Sequence, residues 1–471
     1  MKHQQHILNL MALFVFVLLL IWLCGLAETT MWVSYGNWMT AGEIFAFVTA
    51  NKYESSDVLN YCLRYVWPYW IVCSLIYLGI GVLVWRLTVV KNTRSAHCTA
   101  IGIIVVLAAP FVLPGVTNSL AHEIVCVVRQ VQNIDKYKND NTDFVYHAFI
   151  AKESPVSEVF VLSLGESVRY KNLSLNGTYN RETTPVLGKQ TDLVLYSDYY
   201  ANATLTQHAL PMLLTDAQTN DFEQHFGRKT IAAAFSEAGF KTALVSHRAQ
   251  LMNNGYHDYL AKDFDTLIFV KHDSLIAQEL ANLAKKNEKL FAVTHYLGNH
   301  MFYTNRTEDC LVWRPDYNAD PEVKSDSLFL NAYDNSLRYT DRLLNKEIET
   351  LRQMHKAAAW FFVSDHGEYI SPRVSGHGHT YHPTKDEYHV PLMIWVSDEY
   401  TDTYPEKVAN MIQHKDEPVC ADHVFWSVLD MADIHIDSTL QQEGMSIFGY
   451  TLLPHQRALL LPDGKSVMDL D

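Results

Sequence analysis

Charged side chains, and cationic ones above all, are scarce in this chain of 471 residues. Charged residues make up 19% of the sequence, and 37 Lys and Arg stand against 52 Asp and Glu, for a net charge of -15. A protein that binds nucleic acid phosphates needs a cationic surplus, so this balance excludes a general DNA- or RNA-binding protein. Internal repeats and low-complexity segments are also absent from the sequence. Hydrophobic residues make up 48% of the chain, which is enough apolar surface to exclude a disordered protein.

Cysteine is sparse in the C-terminal two thirds of the chain. Of the seven cysteines, only Cys310 and Cys420 lie beyond residue 126. Two cysteines in an oxidising compartment can form a disulfide, and two separate buried thiols are the alternative. The sequence leaves both arrangements open.

Three long apolar runs occupy the first quarter of the chain, at residues 7–27, 66–86 and 98–116. About 20 residues at a rise of about 1.5 Å each match the roughly 30 Å of bilayer hydrocarbon. We therefore predict three transmembrane helices in a membrane domain over residues 1–118. A cleaved signal peptide is the alternative for the first run, but the apolar part of such a peptide has only about 7 to 15 residues.

Cationic residues between the second and third runs predict the orientation of the chain. Arg86, Lys91 and Arg94 lie in this short stretch, and the positive-inside rule places such a loop in the cytoplasm. Three spans then place the rest of the chain outside the cytoplasm. We divide that part into a connector over residues 119–155 and a large domain over residues 156–471.

Short apolar runs alternate with helical stretches in the large domain. The predicted strands are apolar throughout, as is typical of strands buried on both faces; they cover residues 159–164, 242–245, 290–294, 360–363 and 390–396. The predicted helices cover residues 229–238, 273–286 and 326–354. This alternation predicts an α/β fold with a mostly parallel sheet between helices. Functional sites of such sheets lie at the carboxyl ends of the strands.

Polar side chains follow two of these predicted strands. Glu166 comes after the strand at 159–164, and Asp365 and His366 come after the strand at 360–363. Two carboxylates and an imidazole form a ligand set that suits zinc, whereas calcium and magnesium prefer oxygen alone. The sequence therefore predicts a metal site where the two strands end, with ordinary turn residues as the alternative.

Three further histidines lie close to these motifs in the sequence. His300 follows Gly298 and Asn299, while His377 and His379 each follow a glycine shortly after the Asp365 motif. Glycine lets a backbone approach a ligand closely. These imidazoles would hold a second metal ion or bind a phosphate, and positions in a surface loop are the alternative.

Several short motifs occur in the order found in one enzyme family. They are Leu164–Ser167, Ser174–Gly177, Arg181–Pro185, Gly298–His300, Asn331–Asn335, Val363–Glu368 and Val390–Trp395. In these motifs the chain resembles the phosphoethanolamine transferases, which include lipid A-modifying and mobile colistin-resistance enzymes within the alkaline phosphatase and sulfatase superfamily. The resemblance covers roughly residues 157 to 435.

The resemblance implies a role for each residue of the predicted metal site. Glu166, Asp365 and His366 would bind zinc, one ion or two, together with a nucleophilic threonine. In the family that threonine lies five residues before a proline, a spacing that Thr206 reproduces. Thr206 is therefore assigned as nucleophile and metal ligand, and Thr204 is the competing candidate. Coordination to zinc would lower the pKa of the hydroxyl and replace a general base.

The remaining candidate residues are expected to act on the substrate. His300 and His377 are expected beside the phosphoryl group as catalytic residues, with His377 favoured over His379 because Gly378 follows it as in the family. His247 and Arg248 follow the predicted strand at 242–245, and together with His379 they are candidates for contacts to the substrate.

The resemblance also implies a reaction, a donor and a location. Phosphoethanolamine would pass from phosphatidylethanolamine to the threonine and then to a cell-envelope acceptor, at the bacterial inner membrane with the catalytic domain in the periplasm. The acceptor would be the lipid A or core sugar of lipopolysaccharide, or a periplasmic glucan. Lipid A members flank the threonine with a cysteine pair, whereas Asn202 and Met212 stand here, which weakens the case for lipid A.

Two other classes of function remain as alternatives to a phosphoethanolamine transferase. One is a phosphoglycerol transferase, or a phosphodiesterase or sulfatase-like hydrolase, of the same superfamily. The other is a non-catalytic envelope scaffold. The presence of all the implied zinc ligands and of the nucleophile argues against the scaffold.

Overall fold

The computed structural model of the chain describes two units, Met1–Gln130 and Val131–Asp471. The described residues are 2–35, 62–91, 93–112, 143–151, 154–247, 258–301, 309–316, 325–371, 375–378 and 383–471, with the positions 39, 44, 56, 58–60, 124, 127–128, 132, 303, 307 and 323 between them.

Apolar helices make up the described part of the N-terminal unit. They are α1 (Lys2–Tyr35), α2 (Trp67–Trp85) and α3 (Arg94–Val112), and π-helical turns at Cys62–Val66 and Arg86–Lys91 flank α2. Ile21 of α1 packs with Val84 of α2 and with Ala100 and Ile104 of α3. Polar side chains pair between α1 and α2, as an apolar environment requires: the indole of Trp22 donates a hydrogen bond to Ser74, at 3.1 Å.

Two segments among the described residues are long and apolar enough to cross a bilayer. They are Val15–Ser34 and Val58–Lys91, whereas the apolar part of α3, His97–Ala109, is shorter. The two long segments overlap the predicted spans 7–27 and 66–86. The third predicted span, 98–116, begins in α3 and runs into residues 113–116, which lie outside the described residues. The presence of three spans therefore stays a prediction.

A seven-stranded sheet lies at the centre of the C-terminal unit. Its strands in spatial order are β3 (Val194–Tyr196), β11 (Leu392–Val396), β8 (Ala357–Ser364), β2 (Glu158–Gly165), β7 (Lys289–His295), β5 (Lys241–Ser246) and β6 (Thr266–Phe269). All neighbouring pairs are parallel except those of β11, which is antiparallel to both β8 and β3. The predicted mostly parallel sheet is thus confirmed. Each of the five predicted strands is present, with ends that differ from the prediction by at most three residues.

Shorter strands and the helices complete this unit. Two-residue and three-residue strands form the pairs β1 (Phe149–Ile150) with β13 (Ile434–His435), β4 (Tyr199–Tyr200) with β12 (Val419–Cys420), β9 (Tyr369–Ile370) with β10 (Ser375–Gly376) and β14 (Ala458–Leu460) with β15 (Val467–Asp469). The helices are α4 (Thr206–Leu214), α5 (Ile231–Glu237), α6 (Asp258–Ala261), α7 (Ile276–Lys286), α8 (Leu328–Arg352), α9 (Lys385–Tyr388), α10 (Asp398–Thr403), α11 (Pro405–Gln413) and α12 (Val424–Met431). Segments of 3-10 helix cover Tyr170–Asn172, Ser174–Asn176, Leu187–Lys189, Thr219–Gly227, Asp273–Leu275 and Ala421–His423.

Helices cover both faces of the sheet, as the sequence predicted. Phe160 of β2 shares one core with Phe235 of α5 and Phe425 of α12. Ser163 points to the opposite face, because side chains alternate along a strand. There its hydroxyl donates a hydrogen bond to Glu347 of α8, at 2.8 Å. Every residue of β2 and β8 is buried, which explains why both strands are apolar almost throughout.

Cys420 of β12 is a free thiol. Its Sγ lies 3.5 Å from Nδ1 of His423. The structure therefore contains no disulfide between Cys310 and Cys420. Of the two arrangements that the sequence left open, it has the two separate thiols.

Candidate metal centre

Glu166 and Asp365 follow adjacent parallel strands at the same level of the sheet. Gly165 at the end of β2 pairs with Ser364 at the end of β8, so the next residue of each strand stands at the same edge. The Ser167 amide donates a hydrogen bond to Asp365 Oδ1 at 3.1 Å, which links the two strand ends directly. The structure thus brings the two predicted carboxylates together.

The ligand atoms of Glu166, Asp365 and His366 lie within 4.8 Å of one another, and all three side chains are buried. Nε2 of His366 is 3.5 Å from an oxygen of each carboxylate. Nδ1 of His366 lies 2.8 Å from the carbonyl oxygen of Gly367. A carbonyl only accepts, so Nδ1 donates this hydrogen bond, and Nε2 is the ring nitrogen that faces the carboxylates. This oxygen and nitrogen donor set, with the ring oriented by a backbone carbonyl, fits a zinc ion.

The hydroxyl of Thr206 completes this group. Thr206 is the first residue of α4, and its Oγ1 lies 3.2 Å from Glu166 Oε2 and 3.2 Å from His366 Nε2. The positive end of the helix dipole lies at this terminus and favours a negatively charged group there. Thr204, the competing candidate, is buried, and its hydroxyl has no hydrogen-bond partner in the described part of the chain. The structure thus groups Thr206 with the predicted ligands.

The loop that follows β7 packs directly on Glu166. Gly298 has a φ of +47°, and a Cβ atom there would lie 3.3 Å from the carbonyl oxygen of Glu166. The Asn299 amide donates a hydrogen bond to that same oxygen at 3.1 Å. The side chain of Asn299 is held by Ser336 and Thr340 of α8, at 2.6 and 2.7 Å. The Gly298–Asn299 motif therefore fixes the backbone of a predicted ligand.

His377 and His300 stand beside the predicted ligands. The ring of His377 lies 4.1 Å from that of His366 and 6.3 Å from that of His300, measured between centroids. Nδ1 of His377 pairs with Glu368 at 3.2 Å, and Nδ1 of His300 lies 2.6 Å from the carbonyl oxygen of Met301. Each pairing fixes Nδ1 and so sets the orientation of the ring.

Carboxylates control the charge of His377. Burial by itself lowers the pKa of this imidazole, but the negative charges of Glu368, Glu166 and Asp365 outweigh burial and raise the pKa to about 9. A zinc ion between Glu166 and Asp365 would offset part of this effect, because its charge has the opposite sign.

His247 is connected to the loop at Gly298 by Asp273, a residue that the sequence analysis missed. Its Nδ1 lies 2.9 Å from Oδ1 of Asp273, and the amides of Leu297 and Gly298 donate hydrogen bonds to the same carboxylate at 3.0 and 3.1 Å. Burial would raise the pKa of Asp273, but these hydrogen bonds and the His247 imidazole lower it below its usual range. Arg248 and His379, the other two candidates for substrate contact, lie outside the described residues.

Arg169 is a second residue that the sequence analysis missed. It is buried, and its guanidinium donates hydrogen bonds to Asn172, to the carbonyl oxygen of Glu368 and to Asp386, at 2.6, 3.1 and 3.2 Å. Arg169 therefore ties the loop that follows Glu166 to the loop that follows His366. A lone arginine after a strand gives no sequence signal for such a role.

Comparison with known proteins assigns this arrangement to a family of enzymes. Residues 158–434 match the family model described as Sulfatase. The Kdo(2)-lipid A phosphoethanolamine 7''-transferase of Salmonella typhimurium is 24% identical over 280 residues, which cover 56% of this chain and 49% of that protein. The chain thus spans about half the length of this curated relative.

Solved structures share the fold. The integral membrane lipooligosaccharide phosphoethanolamine transferase A (EptA) from Neisseria meningitidis has a TM-score of 0.67 at 19% identity, over 91% of this chain and 86% of that one. The C-terminal periplasmic domain of EptC from Escherichia coli, in complex with Zn, has a TM-score of 0.59 at 19% identity, over 69% and 95% of the two chains. At 19% identity, both likenesses show the fold alone.

Proposed function

The chain belongs to the sulfatase family, and we propose that it is a zinc-dependent phosphoethanolamine transferase with Thr206 as nucleophile. The observation that carries this proposal is the Thr206 hydroxyl, 3.2 Å from both Glu166 and His366. A bound zinc ion held by Glu166, Asp365, His366 and Thr206 would lower the pKa of that hydroxyl and draw charge from a phosphoryl group beside it.

The reaction consists of two displacements at phosphorus. In the first, Oγ1 of Thr206 forms a bond to the phosphorus of phosphatidylethanolamine and loses its proton to solvent, while the bond from phosphorus to the diacylglycerol oxygen breaks. The phosphorylated Thr206 then lies at the N-terminus of α4, where backbone amides and the helix dipole stabilise negative charge. In the second, an acceptor hydroxyl or phosphate oxygen attacks, and the bond to Oγ1 breaks and restores the threonine.

We assign the proton transfers of these steps to His377 and His300. Nδ1 of His377 is held by Glu368, so its Nε2 donates a proton to the departing diacylglycerol oxygen. Nδ1 of His300 is held by the Met301 carbonyl, so its Nε2 accepts the proton of the attacking acceptor. General acid and base groups of this kind typically contribute about 10²–10⁴-fold to a rate.

Its relatives support an envelope-lipid acceptor, and its apolar helices support a membrane location. We assign phosphatidylethanolamine as donor, and lipopolysaccharide or another envelope glycan as acceptor. The two long apolar segments support an inner-membrane anchor with the catalytic domain in the periplasm, near both lipid substrates. His247, Arg248 and His379 are assigned to substrate contacts.

The segment that flanks Thr206 leaves the acceptor open. Asn202 and Met212 occupy the positions of the cysteine pair in lipid A-modifying enzymes, and here Nδ2 of Asn202 lies 3.2 Å from the sulfur of Met212. A noncovalent contact thus stands where those enzymes carry cysteines. We therefore keep a core sugar and a periplasmic glucan beside lipid A as candidate acceptors.

Lipid turnover by the purified full chain tests this function. Vesicles of phosphatidylethanolamine should yield diacylglycerol with zinc present, and Thr206→Ala should release none. Thr204→Ala is the matched control and should retain the activity. Preference for phosphatidylglycerol would instead indicate a phosphoglycerol transferase, and acceptor-independent release of free phosphoethanolamine would indicate a phosphodiesterase; either result would overturn the assignment.

A further inference from the structure

A second group of metal-ligating side chains lies apart from the residues around Thr206. The Sγ of Cys420, a carboxylate oxygen of Asp422 and a ring nitrogen of His455 lie within 4.8 Å of one another. Cys420 belongs to β12, Asp422 to the 3-10 turn that follows, and His455 to the segment before β14. Cys420 and Asp422 are buried, while the His455 side chain is 21% exposed. Solvent therefore reaches the group from the side of His455.

The hydrogen bonds of Asp422 direct one of its oxygens to His455. Oδ1 accepts hydrogen bonds from Asn202 Nδ2 and the Thr219 amide, at 3.3 and 3.1 Å, and the Thr219 hydroxyl contacts both oxygens. Oδ2 lies 3.1 Å from Nε2 of His455. Bonds of about 2.0–2.2 Å in a tetrahedral zinc site place two ligand atoms roughly 3.3–3.6 Å apart. The observed separation is close to that value.

Buried polar atoms without hydrogen-bond partners in the described part of the chain collect beside this group. They are Nε2 of His423, the hydroxyl of Tyr199 and Oδ1 of Asn202, and these residues are at most 2% exposed. The ring of His423 stands edge to face against that of His455, with centroids 5.3 Å apart. Buried polar groups are nearly always hydrogen-bonded, so such a concentration indicates a place for an ion and its water.

We propose that Cys420, Asp422 and His455 bind a zinc ion at a structural site distinct from the one around Thr206, with water as the fourth ligand. A thiolate, an imidazole and a carboxylate form a donor set that zinc accepts readily, whereas magnesium and calcium avoid sulfur. The proposal does not depend on the transferase activity.

Zinc binding at this site displaces the proton of the Cys420 thiol. Formation of the sulfur–zinc bond releases that proton to solvent, as zinc binding to cysteine does in general.

The site connects the C-terminal segment to the segment between β4 and Thr206. Asp422 holds the Asn202 side chain, and the Leu460 amide of β14 donates a hydrogen bond to the Asn202 carbonyl oxygen at 2.7 Å. Asn202 precedes Thr206 by four residues. An ion shared by Asp422 and His455 would thus fix both sides of the segment that leads into α4.

Cobalt substitution tests the site, because a thiolate bound to Co²⁺ gives a charge-transfer band in the near ultraviolet. The ligands around Thr206 include no sulfur, so that site cannot produce the band. The metal-stripped full chain in detergent, titrated with Co²⁺, should show the band, and added Zn²⁺ should remove it. Cys310→Ser is the matched control and should keep the band, whereas Cys420→Ser should lose it.

Either of two results overturns the proposal: a wild-type chain without the band at saturating Co²⁺, or an undiminished band in Cys420→Ser. His455→Gln keeps the test decisive if Cys420→Ser does not fold, because His455 is partly exposed. Loss of this ligand should weaken the Co²⁺ titration by at least about tenfold. An unchanged titration of His455→Gln would count against the site.

Discussion

Oγ1 of Thr206 and Nε2 of His366 lie 3.2 Å apart, although 160 residues separate them in the chain. Thr206 begins α4 and His366 follows β8, so the fold brings a helix N-terminus to the carboxyl edge of the sheet. Nδ1 of His366 donates to the Gly367 carbonyl, which turns Nε2 towards the hydroxyl. The two atoms are therefore placed to share one cation.

Loss of one carboxylate should weaken zinc binding at this centre. Asp365→Asn keeps an oxygen for the amides of Ser167 and His366, which both donate to Oδ1, but removes the negative charge. We expect the zinc affinity to fall by more than about 100-fold, since even residues that only orient a ligand are worth about 10–100-fold.

Competition with a chromophoric chelator measures this affinity. The Cys420→Ser chain is the background for the measurement, so that zinc at the proposed second site does not contribute. Asp402→Asn, at an exposed position, is the control and should bind zinc as before. Equal affinities for the Asp365→Asn and control chains would show that Asp365 is not a ligand.

A methyl group at Gly298 should disturb the site, whereas one at Gly239 should not. Both glycines have positive φ, +47° and +89°, but a Cβ at Gly298 meets the Glu166 backbone and one at Gly239 meets nothing within 4 Å. Alanine in the left-handed region costs about 1–2 kcal/mol. We expect both variants to unfold at lower temperature and only Gly298→Ala to lose transferase activity; full activity in Gly298→Ala would contradict this reading.

Asp273 should support activity, because it holds the turn at Leu297 and Gly298. Asp273→Asn leaves one oxygen for the Leu297 and Gly298 amides and for Nδ1 of His247, so one of these donors loses its partner. A buried unsatisfied group costs about 1–3 kcal/mol. We expect kcat to fall about tenfold or more while the far-ultraviolet circular dichroism is unchanged. His247→Ala should have a smaller effect on kcat, and a reversed order would exclude the positioning role of Asp273.

The strands and the convergence of the site were predictable from the sequence, because both depend on local pattern. β2 and β8 are apolar almost throughout, which only strands buried on both faces tolerate. Parallel strands end at one edge, so the residues after them, Glu166 and Asp365, had to lie together. The direction of β11 was not predictable, since an apolar run carries no information about which way its strand runs.

The role of Asp273 was not predictable for a related reason. It follows β6, but this strand is partly exposed, with a mixed pattern over Thr266–Phe269, and was not predicted. Without that strand, Asp273 looks like an ordinary acidic residue at the start of a helix. The second cluster was missed because its members come from a two-residue strand, a turn and a loop, whose packing no periodicity reveals.

Asp341 should make stability depend on pH. Burial raises the pKa of this carboxyl of α8 from 3.8 to about 6, although the amides of Leu187 and Val186 donate to it. Because the pKa is raised in the folded state, the protonated carboxyl adds to the free energy of unfolding. This contribution is fully present below about pH 4 and is lost as the pH rises through 6. The loss amounts to about 3 kcal/mol.

Asp341→Asn stays neutral over this range and should flatten the dependence. Thermal unfolding midpoints at pH 5 and pH 7 give the comparison, with Asp402→Asn as the control that should keep the wild-type slope. If the unfolding midpoint of Asp341→Asn changed between pH 5 and pH 7 as much as that of the wild type, groups other than Asp341 would cause the pH dependence.

The most direct test of the account is the intact mass of the purified chain after incubation with phosphatidylethanolamine and zinc, without an acceptor. We predict the mass of one phosphoethanolamine group on the wild-type chain and on Thr204→Ala, mapped to Thr206 by peptide mass spectrometry, and no added mass on Thr206→Ala. An adduct that persists in Thr206→Ala, or diacylglycerol release without any adduct on the wild-type chain, would contradict the claim that Thr206 is the nucleophile.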